Sequence, residues 1–433
     1  MPPVNTRSLR GSQTSKQARC HWRKLLQCSH LGFSAPDKSS RLRVNLHERL
    51  QISDGGTLGW RIRGYNYRLI QNRLLSMVEN LLHRSRWLLA CLVVAGTPAC
   101  APQEANTPAV DRALEDGEHL FSNLKQLTFG GQNAEAYFSP DGESLIFQRS
   151  GEESQCDQQY VIGIDGSGLE MVSNGLGRTT CGYFYDGGSR VLYSSTFHAD
   201  ERCPPPPDYS LGYVWAVYDF DIYTSLPDGS ELERLTQTEG YTAEATLSPD
   251  GNTIVFTSVM DGDLDIYTMN VDGSNLKRLT TAIGYDGGPF FSPDGSKIVY
   301  RSWHPETEEA IEEYKQLLAN GLVRPSRMEV WVMNVDGSGQ RQVTDLGHAN
   351  FAPFFHPDGN RIIFSSNHET GDRDFDLYLI GIDGTGLTRV THYGEFDGFP
   401  MFSPDGSKLV FASNRYGSVE GETNIFVVDW VEP

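Results

Sequence analysis

Short runs of β-branched and aromatic residues, separated by tight turns, follow one another along residues 124–433. In a typical stretch, the runs Thr253–Thr257 and Asp265–Met269 are each bounded by Gly, Asp or Pro, as β-strands are. A Ser-Pro-Asp-Gly turn precedes the first run and an Asp-Gly-Ser turn follows the second, and both turn types connect antiparallel strands. A fourth short run, Leu276–Thr280, completes the unit. The pattern therefore predicts an all-β protein built from four-stranded units.

This unit occurs six times. Successive turn glycines lie 46, 63, 44, 64 and 47 residues apart, a spacing typical of propeller blades. The sixth unit lacks a fourth strand, whereas Leu124–Thr128 copies a fourth strand and precedes the first unit. We therefore predict a six-bladed β-propeller of four-stranded blades, closed by an N-terminal strand that completes the last blade. The six turns are Phe138–Gly142, Phe184–Gly188, Leu247–Gly251, Phe291–Gly295, Phe355–Gly359 and Phe402–Gly406.

The repeats resemble the TolB-like, or PD40, propeller repeats in two motifs. These are the Ser-Pro-Asp-Gly turn and the Asp-Ile-Tyr-Thr-Met-Asn-Val-Asp-Gly-Ser segment that spans Asp265–Ser274. The resemblance covers residues 124–430 and implies the propeller fold. It says little about function, because the same repeats supply the propellers of tricorn-type and prolyl-oligopeptidase-type peptidases. TolB carries a further α/β domain ahead of its propeller, for which the stretch 101–123 leaves no room.

The chain before residue 124 has a different composition. Residues 1–76 hold 14 Lys+Arg against 3 Asp+Glu, a net charge of +11; because the whole chain carries −20, residues 77–433 carry −31. An export signal is predicted from Met77, where Arg84 and Arg86 precede the apolar run Trp87–Ala95. We interpret residues 1–76 as a non-native upstream extension, with a disordered basic leader as the alternative, and residues 77–100 as a signal peptide.

The signal ends in Thr97–Cys100, which resembles a bacterial lipobox. Ordinary signal-peptidase cleavage is the alternative, but it would place Pro102 directly after the cut. We therefore predict a lipoprotein acylated on Cys100, with a linker over residues 101–123 and the propeller over 124–433. The expected location is periplasmic or outer-membrane-anchored, with membrane contact through the lipid anchor only.

Three cysteines remain in the predicted propeller: Cys156, Cys181 and Cys203. Three thiols allow three pairs and leave one over. All three map near one end of blades one and two. We hypothesise a disulfide that includes Cys181, with three free buried thiols as the alternative.

Two blades carry insertions of nearly 20 residues between their second and third strands, and these mark the expected functional face. The blade-two insertion, His198–Phe220, contains four consecutive prolines, which form a rigid extended arm, and the aromatic residues Tyr213 and Trp215, which could stack on a glycan or grip a peptide. The blade-four insertion, Pro305–Arg327, has the pattern of a helix. That helix is expected to pack as a lid, with partner binding as the alternative.

Polar residues are predicted to gather at the channel mouth on this face. Six residues begin the innermost strands at one equivalent position: Asn133, Thr179, Thr242, Asp286, Asn350 and Asp397. Arg415 ends the second strand of blade six and is a further candidate ligand-binding residue. Four histidines fall nearby and are candidate ligands of a divalent metal: His198, His304, His348 and His368. The repeat family includes oligogalacturonate lyases with histidine-bound metal, so the resemblance keeps a metal-dependent polysaccharide-acting enzyme as an alternative.

Other chemistry is less well supported. No Gly-x-Ser-x-Gly nucleophile turn, phosphate loop or His-Glu-x-x-His motif occurs, and the acidity of residues 77–433 argues against nucleic acid. The aspartate runs Asp261–Asp265 and Asp372–Asp376 lack the spacing of an EF-hand loop, so we expect their last carboxylates to cap strands by hydrogen bonds. The function expected from the sequence is a non-catalytic scaffold in the cell envelope that binds a protein, a peptide or a glycan.

Overall fold

The predicted propeller is present in the structure. The computed structural model describes residues 107–151, 154–371 and 373–431, which form six antiparallel sheets of four or five strands. The innermost strands of these sheets contact one another in a closed ring, so the six-bladed architecture is confirmed. The predicted leader, signal peptide and Cys100 lie outside the described residues. Within the described ranges, no helix is long and apolar enough to cross a membrane.

The strands follow the blades in chain order. Before blade one lie β1 (Val110–Asp111) and β2 (Phe121–Gln126). Blade one holds β3 (Gln132–Phe138), β4 (Ser144–Ser150), β5 (Gln158–Gly163) and β6 (Glu170–Met171). Blade two and its insertion hold β7 (Thr179–Tyr185), β8 (Arg190–Ser195), β9 (Trp215–Ala216), β10 (Asp221–Ser225) and β11 (Glu233–Arg234), with 3₁₀ turns at Asp186–Gly188 and Tyr209–Leu211. Blade three holds β12 (Thr242–Leu247), β13 (Thr253–Ser258), β14 (Asp265–Asn270) and β15 (Lys277–Arg278).

The second half repeats this order. Blade four and its insertion hold β16 (Tyr285–Phe291), β17 (Lys297–Trp303), helix α1 (Glu308–Ala319), β18 (Leu322–Val323), β19 (Glu329–Asn334) and β20 (Arg341–Gln342). Blade five holds β21 (Asn350–Phe355), β22 (Arg361–Ser366), β23 (Asp376–Gly381) and β24 (Thr388–Arg389). Blade six holds β25 (Asp397–Phe402), β26 (Lys408–Ser413) and β27 (Asn424–Trp430).

The N-terminal strand closes the ring as predicted. Strand β2 pairs with β27, with Phe121 opposite Trp430 and Gln126 opposite Phe426. Strand β1 pairs with β2 on the outside, so blade six has five strands. The stretch that the sequence assigned to a linker therefore joins the propeller from Val110 onward.

The repeated turns are held by their own side chains. In the first turn, the Asp141 carboxylate accepts hydrogen bonds from the Ser139 hydroxyl at 2.6 Å and from the Glu143 amide at 3.1 Å. These bonds lower the pKa of Asp141 because they favour its charged form. The same Ser–Asp contact recurs in three further blades, at Asp250, Asp294 and Asp405.

Buried acidic residues begin the third strands of blades two, three and five, where they cap strands as expected. Asp221 accepts from Thr236 at 2.6 Å and pairs with Arg234 of the fourth strand. Asp265 and Asp376 repeat the arrangement with the arginines of their own fourth strands. The interpretation as structural hydrogen-bond acceptors is therefore confirmed at these positions, while Asp372 lies outside the described residues.

Every innermost strand carries a β-bulge at the same place. The pairing register shifts once in each of β3, β7, β12, β16, β21 and β25. One residue of each bulge has a positive φ between 49° and 61°, namely Glu135, Cys181, Glu244, Gly288, Ala352 and Phe399. A bulge re-aims the side chain it carries, and all six residues line one cavity in the central channel.

Candidate binding face and central channel

The two insertions meet and form one structure, which we call the cap (residues 198–220 and 305–327). Strand β9 of blade two pairs with β18 of blade four, with Trp215 opposite Val323 and Ala216 opposite Leu322. The Val217 amide extends the pairing by donating to the Gly321 carbonyl at 2.7 Å. The cap therefore connects blades two and four on the face that the sequence predicted to be functional.

A disulfide anchors the blade-two arm of the cap. Cys156, in the loop between β4 and β5, is bonded to Cys203 in the arm, with a Cα–Cα distance of 5.8 Å. Cys181 is buried and is the free cysteine of the described chain. The hypothesis that Cys181 forms the disulfide is therefore wrong. The reason is the bulge in β7, which points Cys181 into the channel and away from the loop that holds Cys156.

The blade-four part of the cap is the predicted helix. Helix α1 begins after Thr307, whose hydroxyl accepts from the Ala310 amide, and it ends at Asn320. Its buried Tyr314 donates to Asp263 Oδ1 at 2.5 Å and lies 2.7 Å from the Gly284 carbonyl oxygen. These contacts fix α1 against blades three and four, as expected of a helix that packs on the propeller.

Trp215 is the residue of the cap that reaches the channel. Its ring lies 6.4 Å from the ring of Tyr285 and 6.3 Å from that of Phe351, both edge-on. Tyr285 and Phe351 stand at the start of β16 and β21, where the channel opens. The guanidinium carbon of Arg301 lies 5.2 Å from the centre of the Trp215 ring. Trp215 thus partly covers the channel mouth and is not the exposed stacking platform that the sequence suggested.

An exposed apolar ridge lies beside Trp215 on the same arm. Tyr209, Leu211 and Tyr213 are 58%, 50% and 65% exposed, and we call these three residues the aromatic ridge. The Tyr213 hydroxyl accepts from the Trp215 indole at 3.1 Å. Tyr218 holds the base of the arm by donating to the Pro205 carbonyl at 2.8 Å. The predicted ligand-binding residue Tyr213 is therefore available to a partner.

Below the mouth lies a small cavity, which we call the chamber. Its volume is about 20 Å³, enough for one water-sized group, since a buried water needs roughly 10–15 Å³. The aromatic rings of Tyr137 and Phe290, one turn deeper along the inner strands, lie 5.6 Å apart across the channel. The chamber is lined by the six bulge residues together with Tyr137, Thr246, Phe290 and Arg301.

The chamber wall holds two polar contacts. The Cys181 thiol donates to Glu135 Oε2 at 2.9 Å. Burial raises the pKa of Glu135 to about 7, against the opposing effect of this hydrogen bond. Burial also raises the pKa of Cys181, and the nearby Glu135 carboxylate raises it further. The wall therefore combines a neutral thiol with a carboxyl group that titrates near neutral pH.

The second contact is an ion pair between Arg301 and Glu244. Arg301 also donates to the Tyr285 hydroxyl at 2.7 Å, and Glu244 accepts from the Gly288 amide at 2.8 Å. Within the described chain, the Nε of Arg301 has no hydrogen-bond acceptor. Sequence analysis missed Glu135, Glu244 and Arg301 as channel residues, although the first two occupy equivalent positions two residues beyond the predicted ring.

The predicted ring residues do not line the mouth. Asn133, Thr179, Thr242, Asp286, Asn350 and Asp397 are all fully buried. Each donates its backbone amide to a carbonyl of the preceding blade at 2.9–3.1 Å, and Asn133 and Asn350 add a side-chain bond to the same carbonyl. The positions are equivalent as predicted, but their side chains lie between neighbouring blades, so their assignment to ligand binding is corrected.

Arg415 is also occupied within the protein. It is 1% exposed, and its Nη2 donates to Asp397 at 2.6 Å and to Glu118 at 3.0 Å. Glu118 belongs to the segment between β1 and β2. Arg415 therefore joins the N-terminal segment to blade six, and its prediction as a ligand-binding residue is corrected.

The four histidines stay in separate surroundings. His304 lies 3.2 Å from Asp286 Oδ1, His198 lies 3.5 Å from Asp221 Oδ2, and His368 Nδ1 lies 2.9 Å from the Ser366 hydroxyl. Burial lowers the pKa of His368, and the nearby His348 contributes to the shift. In the described ranges, no group of three or more His, Cys, Asp or Glu side chains is placed to hold a metal ion. The structure does not assemble the metal site suggested by the sequence.

The closed ring of six four-stranded blades defines this protein as a β-propeller. Residues 221–307 and 316–430 match the family described as the TolB beta propeller domain, PD40. The propeller of this chain belongs to that TolB-like family. No curated protein sequence matches the chain.

Solved structures with the same fold have low sequence identity to this chain. TolB from Acinetobacter baumannii is 17% identical, with a TM-score of 0.45, 69% of this chain covered and 63% of that one. An oligogalacturonate lyase in complex with manganese is 16% identical, with a TM-score of 0.46 and coverages of 75% and 97%. A gluconolactonase from Xanthomonas campestris is 12% identical, with a TM-score of 0.50 and coverages of 75% and 98%. Similarity at this level concerns the fold alone.

Proposed function

We propose that this chain is an exported, lipid-anchored binding module of the bacterial cell envelope, and that its partner is a protein or peptide bound by the cap. The observation that carries the proposal is the aromatic ridge. Tyrosine side chains supply large contact area with few rotatable bonds, and they are enriched where proteins bind one another. The disulfide at Cys203 and the bond from Tyr218 to Pro205 hold the arm in place, which reduces the entropy lost on binding.

The export part of the proposal rests on the sequence of residues 77–100 and on TolB-like relatives that act in the envelope. Acylation would leave the propeller tethered to a membrane through the stretch after Cys100, with its cap free to contact a partner. The alternative of a metal-dependent enzyme acting on polysaccharide is less well supported, because the candidate ligands His198, His304 and His368 stand in different blades.

Partner capture tests the binding part. The full chain, with a C-terminal tag, would be cross-linked in bacterial cells and purified beside a Tyr209→Ala/Tyr213→Ala variant. A Leu276→Ala variant is the matched control, because Leu276 is 54% exposed but lies in the turn before β15, outside the cap. We expect the wild type and Leu276→Ala to retain the same envelope protein and the ridge variant to lose it. Equal recovery by all three proteins would contradict the proposal.

Lipid attachment is tested separately. Cells fed labelled palmitate should incorporate the label into the wild-type chain and not into a Cys100→Ser variant, and the wild type should partition with membranes. A soluble, unlabelled wild-type protein would overturn the lipid anchor while leaving the partner experiment interpretable.

A further inference from the structure

The chamber is too small for more than a water-sized group as it stands, yet its wall carries a thiol, a carboxyl group and an ion pair. Its mouth is narrowed by a residue that belongs to another part of the chain. Trp215 comes from the blade-two insertion, whereas its ring contacts lie in blades four and five. Any larger molecule that reaches Cys181 from this face must therefore wait for Trp215 to move.

The connection that holds Trp215 in place is short. It consists of two residue pairs between β9 and β18 and one further hydrogen bond at Val217. A two-stranded sheet is marginally stable by itself even at greater length. Segments with few backbone bonds and much exposed surface open at a low free-energy cost, and the adjoining Tyr209–Tyr213 stretch is largely exposed.

The two ends of the cap are attached in different ways. Helix α1 is fixed to the propeller body through Tyr314 and its two acceptors. The blade-two arm is fixed at Cys203, twelve positions before Trp215. Between them, Gly212 has φ 92° and ψ −163°, a backbone conformation available essentially to glycine alone. The mobile part is therefore expected to be the strand that carries Trp215, with Gly212 at one end.

Removing Trp215 leaves no charge without a partner. Arg301 keeps its ion pair with Glu244 and its bond to the Tyr285 hydroxyl, since neither involves the cap. The loss is confined to the contact between the guanidinium and the indole face and to the two edge-on ring contacts, each a modest interaction.

We propose that residues 212–217 form a hinged lid on the central channel. When β9 separates from β18, Trp215 withdraws from Tyr285 and Phe351, and solvent and solutes reach Cys181 and Glu135. The disulfide and α1 stay in place during this movement. The proposal does not depend on the partner-binding function proposed above, because it concerns access to the chamber and not the aromatic ridge.

Cys181 provides a reporter for lid opening. The full-length oxidised protein would be treated with N-ethylmaleimide, and modification of the peptide that contains Cys181 followed by mass spectrometry, so that thiols elsewhere in the chain do not interfere. We expect Trp215→Ala to accelerate modification at least tenfold. Tyr209→Ala, which changes an exposed residue of the same arm, should stay within twofold of wild type. Equal rates for wild type and a folded Trp215→Ala protein would overturn the proposal.

A second measurement uses the wild type only, in case Trp215→Ala does not fold. The Cys181 modification rate would be measured at urea concentrations below the unfolding transition. Local lid opening exposes little surface, so the rate should be nearly independent of urea. A rate that rises with urea as steeply as the global unfolding equilibrium would show that Cys181 is reached only by unfolding, and the lid would be rejected.

Discussion

Arg415 and Glu118 form a buried ion pair across 297 positions of the chain, with Nη2 and Oε1 3.0 Å apart. Asp397 accepts from the same Nη2 at 2.6 Å. One guanidinium therefore joins the N-terminal segment to the second and first strands of blade six. The ring closes at this blade, so the pair reinforces the place where the two ends of the propeller meet.

We expect Arg415→Ala to lower the free energy of unfolding by about 3–5 kcal/mol, because it leaves two buried carboxylates without their cation. Urea unfolding monitored by tryptophan fluorescence measures the change. Lys408→Ala is the control, since Lys408 pairs with Asp429 at the surface and such pairs contribute about 0–1 kcal/mol. Similar losses in both variants would show that the buried pair does not stabilise the closure.

The disulfide predicts a second stability difference. Cys156 and Cys203 are 47 positions apart, and a bond that closes a loop of this length stabilises the folded state by about 2–4 kcal/mol. Cys203→Ser should lose that amount and should also release the arm to proteolysis. Cys181→Ser should retain a disulfide-linked pair of peptides on non-reducing mass mapping. A linked peptide that contains Cys181 would refute the pairing.

Glu135 should make stability depend on pH. Its pKa is raised from 4.5 to about 7 in the folded protein, so between these values the folded state holds a proton that the unfolded state has lost. Stability from this group is therefore full below about pH 4.5 and declines as the pH rises to about 7. Glu135→Gln should abolish that decline and exceed the wild type above pH 7 by on the order of 1–3 kcal/mol.

Unfolding free energies at pH 5 and pH 8 check this sign. Asp265 and Asp376 also have raised pKa values, so the difference between wild type and Glu135→Gln isolates the contribution of Glu135. Glu143→Gln, an exposed change in the first turn, serves as the control. If Glu135→Gln has the pH slope of the wild type, the carboxyl group is solvated and its pKa is ordinary.

The fold was predictable because its determinants are local in the sequence. Each Ser-Pro-Asp-Gly turn is closed by the hydroxyl of Ser and the carboxylate of Asp within the same turn, as at Ser139 and Asp141, and so each blade announces itself. Helix α1 was equally readable from its acidic first turn and from Asn320 at its end. Strand β2 was recognisable as a copy of the fourth strands of the other blades.

The channel was not predictable because the bulges are not visible in the sequence. In a regular strand, residues two apart point to the same side, so alternation gives no reason to separate Asn133 from Glu135. The bulge does separate them, because the register shifts between Ala134 and Tyr137. Asn133 is then buried against the neighbouring blade and Glu135 faces the channel. The pairing of Cys156 with Cys203 likewise depends on distances between loops that no local pattern encodes.

The bulges also predict a contrast between two glycines. Gly288 and Gly251 have similar positive φ values, 61° and 71°, so alanine at either position costs about 1–2 kcal/mol from the backbone alone. A Cβ at Gly251 would meet open space, whereas a Cβ at Gly288 would overlap the guanidinium of Arg301. Gly288→Ala should therefore displace Arg301 from Glu244 and lose a further 1–3 kcal/mol or so through overpacking. Urea unfolding of the two variants measures the difference. If both lose the same free energy, Arg301 moves aside without cost, and the chamber wall is softer than its ion pair implies.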